Sequence, residues 1–293
     1  MNLSGAYTTT TVEFFDAYRK DDITLLSGSF SPGETARVVT SLDRIRERTK
    51  RKEYARVVTS NTFPKGVGAA ASASGFAALT VAAFKASGTP IPEKELTIFA
   101  RLGSGSACRS IPDGFVLWEN GRTSEESYAY SLHPAVYWDI RDILVIVDIR
   151  EKKVSTTDGM RSVSTSPLLS SRLAQVPIRI AKMKTAFAQK NFEALGILIE
   201  EDCLDMHRVM QTQAPPVIYW NEITKKLMSA VTSWRKEGIP VYFTIDAGPN
   251  VHLICEGKDA EAVTAKVREM SGVLRVIANT PARGAYCTDS HLF

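Results

Sequence analysis

Long apolar runs are absent from this 293-residue sequence. No run reaches the roughly 18 apolar residues that a membrane-spanning helix needs, and the most apolar segment, residues 143–147, has the length of a strand. The first residues show no basic segment followed by an apolar one, so we expect no secretory signal. The sequence therefore predicts a protein that neither crosses a membrane nor binds one.

Cysteine and histidine are scarce, with four residues of each. The cysteines are far apart and no two are spaced CxxC, so we expect neither a disulfide framework nor a metal site, and a reducing cytoplasm fits best. Cys108 lies in a serine-rich segment, where we interpret it as a small buried side chain. His207 follows Asp205 in a helical context, and we interpret it as a packing or surface residue rather than a catalytic one.

Neither sign of charge dominates: basic residues exceed acidic ones only slightly, and the formal net charge is +4. Basic residues concentrate in the segment 44–56, which is the only support for binding nucleic acid. Acidic residues interrupt this segment, and Tyr54 is its only aromatic residue. We interpret it as a solvated helix end and loop, and we expect no nucleic-acid partner.

The apolar and charged fractions, 44% and 23%, are ordinary for a globular protein, and the length allows one large domain or two ordinary ones. Strands and helices are interleaved without strict βαβ alternation, which predicts an α+β fold. Strands are predicted at 8–14, 25–30, 56–60, 110–118, 127–132, 143–147, 241–245, 251–255 and 273–278. Helices are predicted at 32–48, 72–87, 93–100, 184–200, 216–236 and 260–270.

Two segments are rich in glycine, alanine and serine: residues 64–75, PKGVGAAASASG, and residues 103–110, GSGSACRS. Small residues let main-chain amides approach an anion, and a helix N-terminus adds its partial positive charge. Arg109 can bind a carboxylate or a phosphate through two parallel N–H bonds. The segment 64–75 is neither a Walker A loop nor a dinucleotide fingerprint, and close helix packing is its alternative interpretation.

Asp246 stands in the turn 246–250, DAGPN, between two predicted apolar strands. One interpretation is an Asx-type turn in a hairpin, and the other is a carboxylate at a strand end that acts as a base. The polar run 155–161 has two interpretations as well, a solvated loop or a source of hydroxyls for a substrate phosphate. Local sequence does not decide between them.

The motifs resemble those of the diphosphomevalonate decarboxylase family. The resemblance rests on residues 61–75, on 100–110 (ARLGSGSACRS), on 157–160 (TDGM) and on 246–250, in the family's order. It covers nearly the whole chain. This family belongs to the superfamily of galactokinase, homoserine kinase, mevalonate kinase and phosphomevalonate kinase. The second and fourth motifs are specific to the decarboxylase branch.

The resemblance implies a two-lobed α+β fold with the active site in the cleft between the lobes. We expect an N-terminal nucleotide-binding lobe at 1–165 and a C-terminal lobe at 166–293 that carries the Asp246 turn. The implied enzyme is a carboxy-lyase of the mevalonate route of isoprenoid lipid biosynthesis. It would use ATP and Mg²⁺ to convert (R)-5-diphosphomevalonate to isopentenyl diphosphate, ADP, phosphate and carbon dioxide. A cytoplasmic homodimer is implied as well.

The resemblance also implies roles for individual residues. Asp246 would lie near the C3 hydroxyl and assist its phosphorylation, and Arg109 would hold the substrate carboxylate. Ser104 and Ser106 would contact substrate and nucleotide phosphates. A further substrate contact would be Met160, and the ATP contacts would be Gly66, Gly68, Ala69, Ala70, Ser72 and Ser104.

One motif of the family has no counterpart in this sequence. The family carries a Lys-Tyr-Trp-Gly-Lys-like segment ahead of the first matched strand, and its lysine contacts phosphates. The first lobe is therefore expected to be truncated at its start, which keeps an inactive relative as one alternative. Decarboxylases of 5-phosphomevalonate or 3,5-bisphosphomevalonate are another, because Pro167 leaves a position next to Ser166 without a cation.

Overall fold

A computed structural model describes residues 1–63, 71–150 and 156–293, with residues 156–158 described by their backbone alone. Contacts divide the described chain into two compact units. Unit 1 contains residues 1–63, 71–137 and 281–293, and unit 2 contains residues 138–150 and 156–280. The division thus lies near residue 137 and not at 165/166, because the strand that follows residue 138 pairs only with later strands. No described helix is long and apolar enough to cross a membrane.

Unit 1 combines a three-stranded sheet, a two-stranded sheet and three helices in its described part. Its strands are β1 (Thr8–Phe14), β2 (Asp22–Leu25), β3 (Ala55–Asn61), β4 (Phe115–Trp118) and β5 (Ala129–His133). Its helices are α1 (Pro32–Thr49), α2 (Ala71–Ser87) and α3 (Glu93–Gly103), with short 3₁₀ helices at Gly105–Ser110 and Ala135–Tyr137. In the larger sheet β3 is central, antiparallel to β1 and parallel to β2, while β4 and β5 form an antiparallel hairpin.

Helix α1 illustrates how local sequence fixes an element. Ser31 caps it by accepting from the Glu34 N–H, and Glu34 accepts in return from the Ser31 N–H at 2.8 Å, which is a capping box. Apolar residues at helical spacing, including Leu42 and Ile45, are fully buried in the core of unit 1. The helix ends at Lys50, whose φ of 60° is left-handed.

Basic residues in the last turn of α1 are paired within the protein. Arg46 binds Asp21 and Asp43, and Arg48 binds Glu95. The interpretation as a solvated helix end is wrong for Arg46, which is only 9% exposed. Buried guanidinium groups require such partners because an unpaired charge is costly to remove from water.

Unit 2 is built on a four-stranded antiparallel sheet with the strand order β7-β8-β6-β9. These strands are β6 (Ile140–Ile146), β7 (Val241–Thr244), β8 (Val251–Glu256) and β9 (Arg275–Asn279). The described helices are α4 (Thr156–Arg161), α5 (Leu169–Ala188), α6 (Phe192–Thr212), α7 (Glu222–Lys236) and α8 (Ala260–Arg268), with 3₁₀ turns at Val163–Thr165 and Gly257–Asp259.

Alternate residues of the unit 2 sheet form its core. Ile143, Phe243 and Leu253 point to one face and pack with buried residues of α7 and α8, such as Val231 and Val263. Alternation with period two places every second residue of these strands on the same face. The predicted α+β class is confirmed by these two described units.

Several element predictions are wrong in their bounds, among them a helix and a strand. The predicted helix at 184–200 is the end of α5 and the start of α6, separated by Lys190, whose φ of 51° is left-handed. Asn191 then caps α6 by accepting from the Ala194 N–H at 3.0 Å. The strand predicted at 25–30 overlaps the observed strand β2 only at Leu25, because β2 begins at Asp22 and ends at Leu25, where its pairing with β3 ends.

Candidate active site

The serine-rich segment begins where α3 ends. Ser104 is extended, with φ of −153°, and its N–H donates to the Ala100 carbonyl at 3.0 Å. Residues Gly105–Ser110 then form a 3₁₀ helix, so the strand predicted from residue 110 begins only at β4. This compact turn presents several hydroxyls and one guanidinium over a short stretch of chain.

Gly103 sits against helix α2. A Cβ atom at this position would collide with the aromatic ring of Phe76, which is itself buried in the core of unit 1. The close approach of α3 to α2 therefore requires glycine. It also fixes where the serine-rich turn starts relative to the first turn of α2.

Two predicted ATP contacts, Ser72 and Ser104, are brought together. Their hydroxyl oxygens lie 3.1 Å apart, with Ser72 in the first turn of α2. Helix N-termini carry unpaired N–H groups and partial positive charge, which favour phosphate oxygens. The other predicted ATP contacts, Gly66, Gly68, Ala69 and Ala70, lie outside the described residues.

Arg109 is exposed at the end of the same 3₁₀ helix, and its guanidinium lies 5.7 Å from the centre of the Trp118 ring. Ser106, in the first turn of that helix, is half-buried. Cys108 is fully buried, its thiol donates to the Gly105 carbonyl at 3.2 Å, and burial raises its pKa. The predicted packing role of Cys108 is thus confirmed, while Arg109 remains available to an anion.

Asp246 follows β7 in unit 2, and its side chain is exposed. The residue before it, Ile245, is fully buried, and its main chain is held by helix α6. Its N–H donates to the Cys203 thiol at 3.2 Å, and its carbonyl lies 3.0 Å from Nε2 of His207. Burial lowers the pKa of His207 and raises that of Cys203 to about 12, so both groups are neutral near pH 7.

The far side of the turn is fixed as well. Asn250 is 3% exposed, and its Oδ1 accepts from the N–H groups of Val147 at 2.7 Å and Asp148 at 3.1 Å. The hydroxyl of Thr224, at the start of α7, donates to the Pro249 carbonyl at 2.6 Å. The exposed carboxylate therefore stands on a turn whose two ends are bonded to different elements of unit 2.

A buried ion pair lies on the same sheet. Nδ1 of His252 is 2.9 Å from the Asp142 carboxylate, and both residues are at most 9% exposed. Burial opposes protonation of His252, but attraction and hydrogen bonding to Asp142, with a smaller attraction to Asp246, raise its pKa to about 9. The cationic form of His252 contributes positive potential near Asp246 at neutral pH.

Met160 lies in α4 with 58% of its surface exposed. The carbonyl of its neighbour Gly159 accepts from Nε2 of Gln213 at 3.1 Å, which ties α4 to the end of α6. Met160 and Asp246 belong to unit 2, whereas Ser72, Ser104, Ser106 and Arg109 belong to unit 1.

Sequence reasoning misses the residues that hold the turn. Cys203 and Asn250 are assigned no role from the sequence, and His207 is interpreted as a packing or surface residue. All three are buried polar groups. One signal is available: Cys203 and His207 are four residues apart, so they share one face of an amphipathic helix. Polar groups on a buried helix face must have hydrogen-bond partners.

Comparison with known proteins gives a consistent result over most of the chain. Residues 1–129 match the family described as diphosphomevalonate decarboxylase-like N-terminal domain. Residues 143–283 match the mevalonate 5-diphosphate decarboxylase C-terminal domain. A diphosphomevalonate decarboxylase of Candida albicans is 32% identical over 94% of this chain and 82% of its own length.

Solved structures of decarboxylases are similar to this chain as well. The mevalonate diphosphate decarboxylase of Staphylococcus aureus superposes with a TM-score of 0.91 at 34% identity, over 96% of this chain and 86% of that one. A structure described as MDDEF in complex with MVAPP, AMPPCP and magnesium superposes with a TM-score of 0.89 at 35% identity, over 96% and 87%.

Replacing Gly103 by alanine tests the packing that starts the serine-rich turn. We expect Gly103→Ala to lower the free energy of unfolding by about 1–3 kcal/mol, because the new methyl group displaces the Phe76 ring. Gly75→Ala in α2 is the matched control, since a methyl group at that position would meet, among the described residues, no atom within 4 Å outside the backbone of its own helix. We expect it to be neutral or stabilising. Urea unfolding measures both, and a Gly103→Ala protein as stable as Gly75→Ala would contradict the packing argument.

Proposed function

Because the chain belongs to the diphosphomevalonate decarboxylase family, we propose that it converts (R)-5-diphosphomevalonate and ATP to isopentenyl diphosphate, ADP, phosphate and carbon dioxide. It would act as a carboxy-lyase in the mevalonate route of isoprenoid biosynthesis. The observation that carries the proposal is the exposed Asp246 carboxylate on a turn held at both ends by hydrogen bonds. Such a fixed acidic group suits proton chemistry at one hydroxyl of a substrate.

The nucleotide is proposed to bind at the start of α2. The paired hydroxyls of Ser72 and Ser104 would donate to its phosphate oxygens, together with N–H groups of the helix N-terminus. The described residues hold no cluster of three His, Cys, Asp or Glu side chains for a metal. The hydroxyls of Ser72 and Ser104 are neutral oxygen donors, which suits a Mg²⁺ ion that would be held mainly by phosphate oxygens and would neutralise phosphate charge.

The substrate carboxylate is proposed to bind Arg109. The guanidinium is exposed and lies 5.7 Å from the centre of the Trp118 ring, and its N–H groups suit a bidentate contact with a carboxylate. Ser106 and Met160 would complete the contacts to the substrate from their own units. Holding the carboxylate in one orientation matters because the bond to it must break in the second half of the reaction.

Asp246 is proposed to act at the C3 hydroxyl. Accepting a hydrogen bond from that hydroxyl, it would orient the oxygen for attack on the γ-phosphorus and take its proton. The C3–O bond of the phosphorylated tertiary alcohol then breaks with loss of phosphate, which leaves positive charge at C3. The departing phosphate takes up the proton from Asp246, whose carboxylate then stabilises the positive charge at C3. Loss of carbon dioxide supplies the electron pair of the new double bond.

A cytoplasmic homodimer is part of the proposal. All four cysteines are free, and three of them are buried, which suits a reducing compartment.

Helix α5 exposes apolar side chains, among them Leu173 at 61% and Ile178 at 50%, as an oligomer surface does. Sedimentation equilibrium measures the mass directly, and we expect twice that of the chain. A mass of 32.2 kDa at micromolar concentration would contradict the dimer.

Product analysis tests the function and its nearest alternative. We expect stoichiometric release of carbon dioxide, ADP and phosphate from 5-diphosphomevalonate and ATP, with isopentenyl diphosphate as the organic product. The same assay with 5-phosphomevalonate and 3,5-bisphosphomevalonate is the comparison. A higher kcat/KM for either compound would overturn the diphosphate assignment, and no turnover with any of them would favour the inactive relative.

The variant Asp246→Asn tests the proposed base. It keeps the size of the side chain and removes its charge, so we expect kcat to fall by about 10²–10⁴-fold or more. ATP binding, measured by calorimetry, is expected to stay within about threefold of the parent, because Asp246 takes no part in our nucleotide site. Asp148→Asn, a neighbouring acid at the end of β6, is the control. Turnover near the parent level in Asp246→Asn would remove Asp246 from the mechanism.

A further inference from the structure

One turn of helix α6 carries two buried side chains that bind the main chain of the same residue. Cys203 and His207 are four positions apart and at most 3% exposed. The Ile245 N–H donates to the Cys203 thiol at 3.2 Å, and the Ile245 carbonyl is 3.0 Å from Nε2 of His207. Ile245 directly precedes Asp246, so this pair, the α6 clamp, acts on the main chain that leads into the carboxylate.

The histidine of the α6 clamp is a fixed donor. A carbonyl oxygen can only accept, so Nε2 of His207 must carry the proton in this contact. Burial lowers the pKa of His207, which keeps the ring neutral at physiological pH and holds this tautomer. A buried neutral imidazole bonded to a carbonyl does not exchange protons with a substrate. Its role is therefore to hold the peptide group between Ile245 and Asp246.

The clamp leaves the carboxylate little freedom to move. The peptide that enters Asp246 is held by His207, and the Asp246 carbonyl accepts from the Gly248 N–H at 2.8 Å. Asn250 fixes the far end of the turn against the end of β6. Catalytic groups must be held within about 0.5 Å of their working position, and a shift of about 1 Å can lower a rate by about 10²-fold.

We propose that Cys203 and His207 are positioning residues that hold Ile245 so that Asp246 presents its carboxylate at one place. The inference rests on the proposed function of Asp246. It assigns kinetic importance to two residues of α6 that touch no substrate atom. The clamp affects the chemical step and not the binding of either substrate.

The kinetic test uses two variants of His207. His207→Leu removes the donor at similar volume, and we expect kcat with ATP and diphosphomevalonate to fall by about 10–100-fold with both KM values within about twofold. His207→Gln places an amide N–H near the position of Nε2, and we expect it to restore most of the lost kcat. Cys203→Ala removes the other half of the clamp without enlarging a side chain, and we expect a smaller loss of the same kind.

Val209→Ala is the control for general damage to helix α6. Val209 is 2% exposed, and its side chain has no group that can bind the Ile245 main chain. We expect it to lower Tm while kcat stays within about twofold of the parent. Unchanged kcat in His207→Leu, or an equal loss of kcat in Val209→Ala, would overturn the proposal.

Amide hydrogen exchange tests the clamp without relying on turnover. We expect His207→Leu to speed exchange in a peptide covering residues 244–248 by at least about tenfold relative to Val209→Ala. If the parent chain fails to act on diphosphomevalonate, the proposed function is wrong, and exchange still decides whether the clamp holds the turn. Equal exchange in the two variants would show that it does not.

Discussion

Buried main-chain groups at the end of strand β7 must be hydrogen-bonded, and that requirement shapes the candidate site of unit 2. Sheet pairing ends at Thr244, so the N–H and carbonyl of the fully buried Ile245 need partners from elsewhere. Helix α6 supplies both, through Cys203 and His207. Since an unpaired buried carbonyl is costly, these contacts hold the next residue, Asp246, in place while its own carboxylate stays in water.

The candidate site of unit 1 depends on close packing instead. Gly103 lets helix α3 end against the ring of Phe76, and the chain then turns into the 3₁₀ helix that exposes Arg109. The same packing brings Ser104 beside Ser72 at the start of α2. Each unit thus presents its exposed polar groups on a buried support, which is how a rigid scaffold preorganises a site.

Much of the local structure could be predicted because it depends on neighbours in sequence. The apolar residues at helical spacing in α1, the β-branched run of β1 and the apolar strands around the Asp246 turn predict elements close to the observed ones. The motifs likewise point to the family that the comparisons establish. The break between α5 and α6 is missed because helical periodicity continues across it, while the left-handed backbone of Lys190 and the cap at Asn191 separate the helices.

The sequence by itself determined the class of fold, the family and the exposed polar residues that carry its motifs. Only the tertiary structure decided what holds those residues. Asn250 meets Asp148 from 102 positions away, and His207 meets Ile245 from 38, so no local pattern identifies either pair. The same holds for Arg46 in the last turn of α1, which reaches Asp21 across 25 positions. Such contacts are set by which buried polar groups the folded chain brings within hydrogen-bond distance, and that depends on the packing of whole elements.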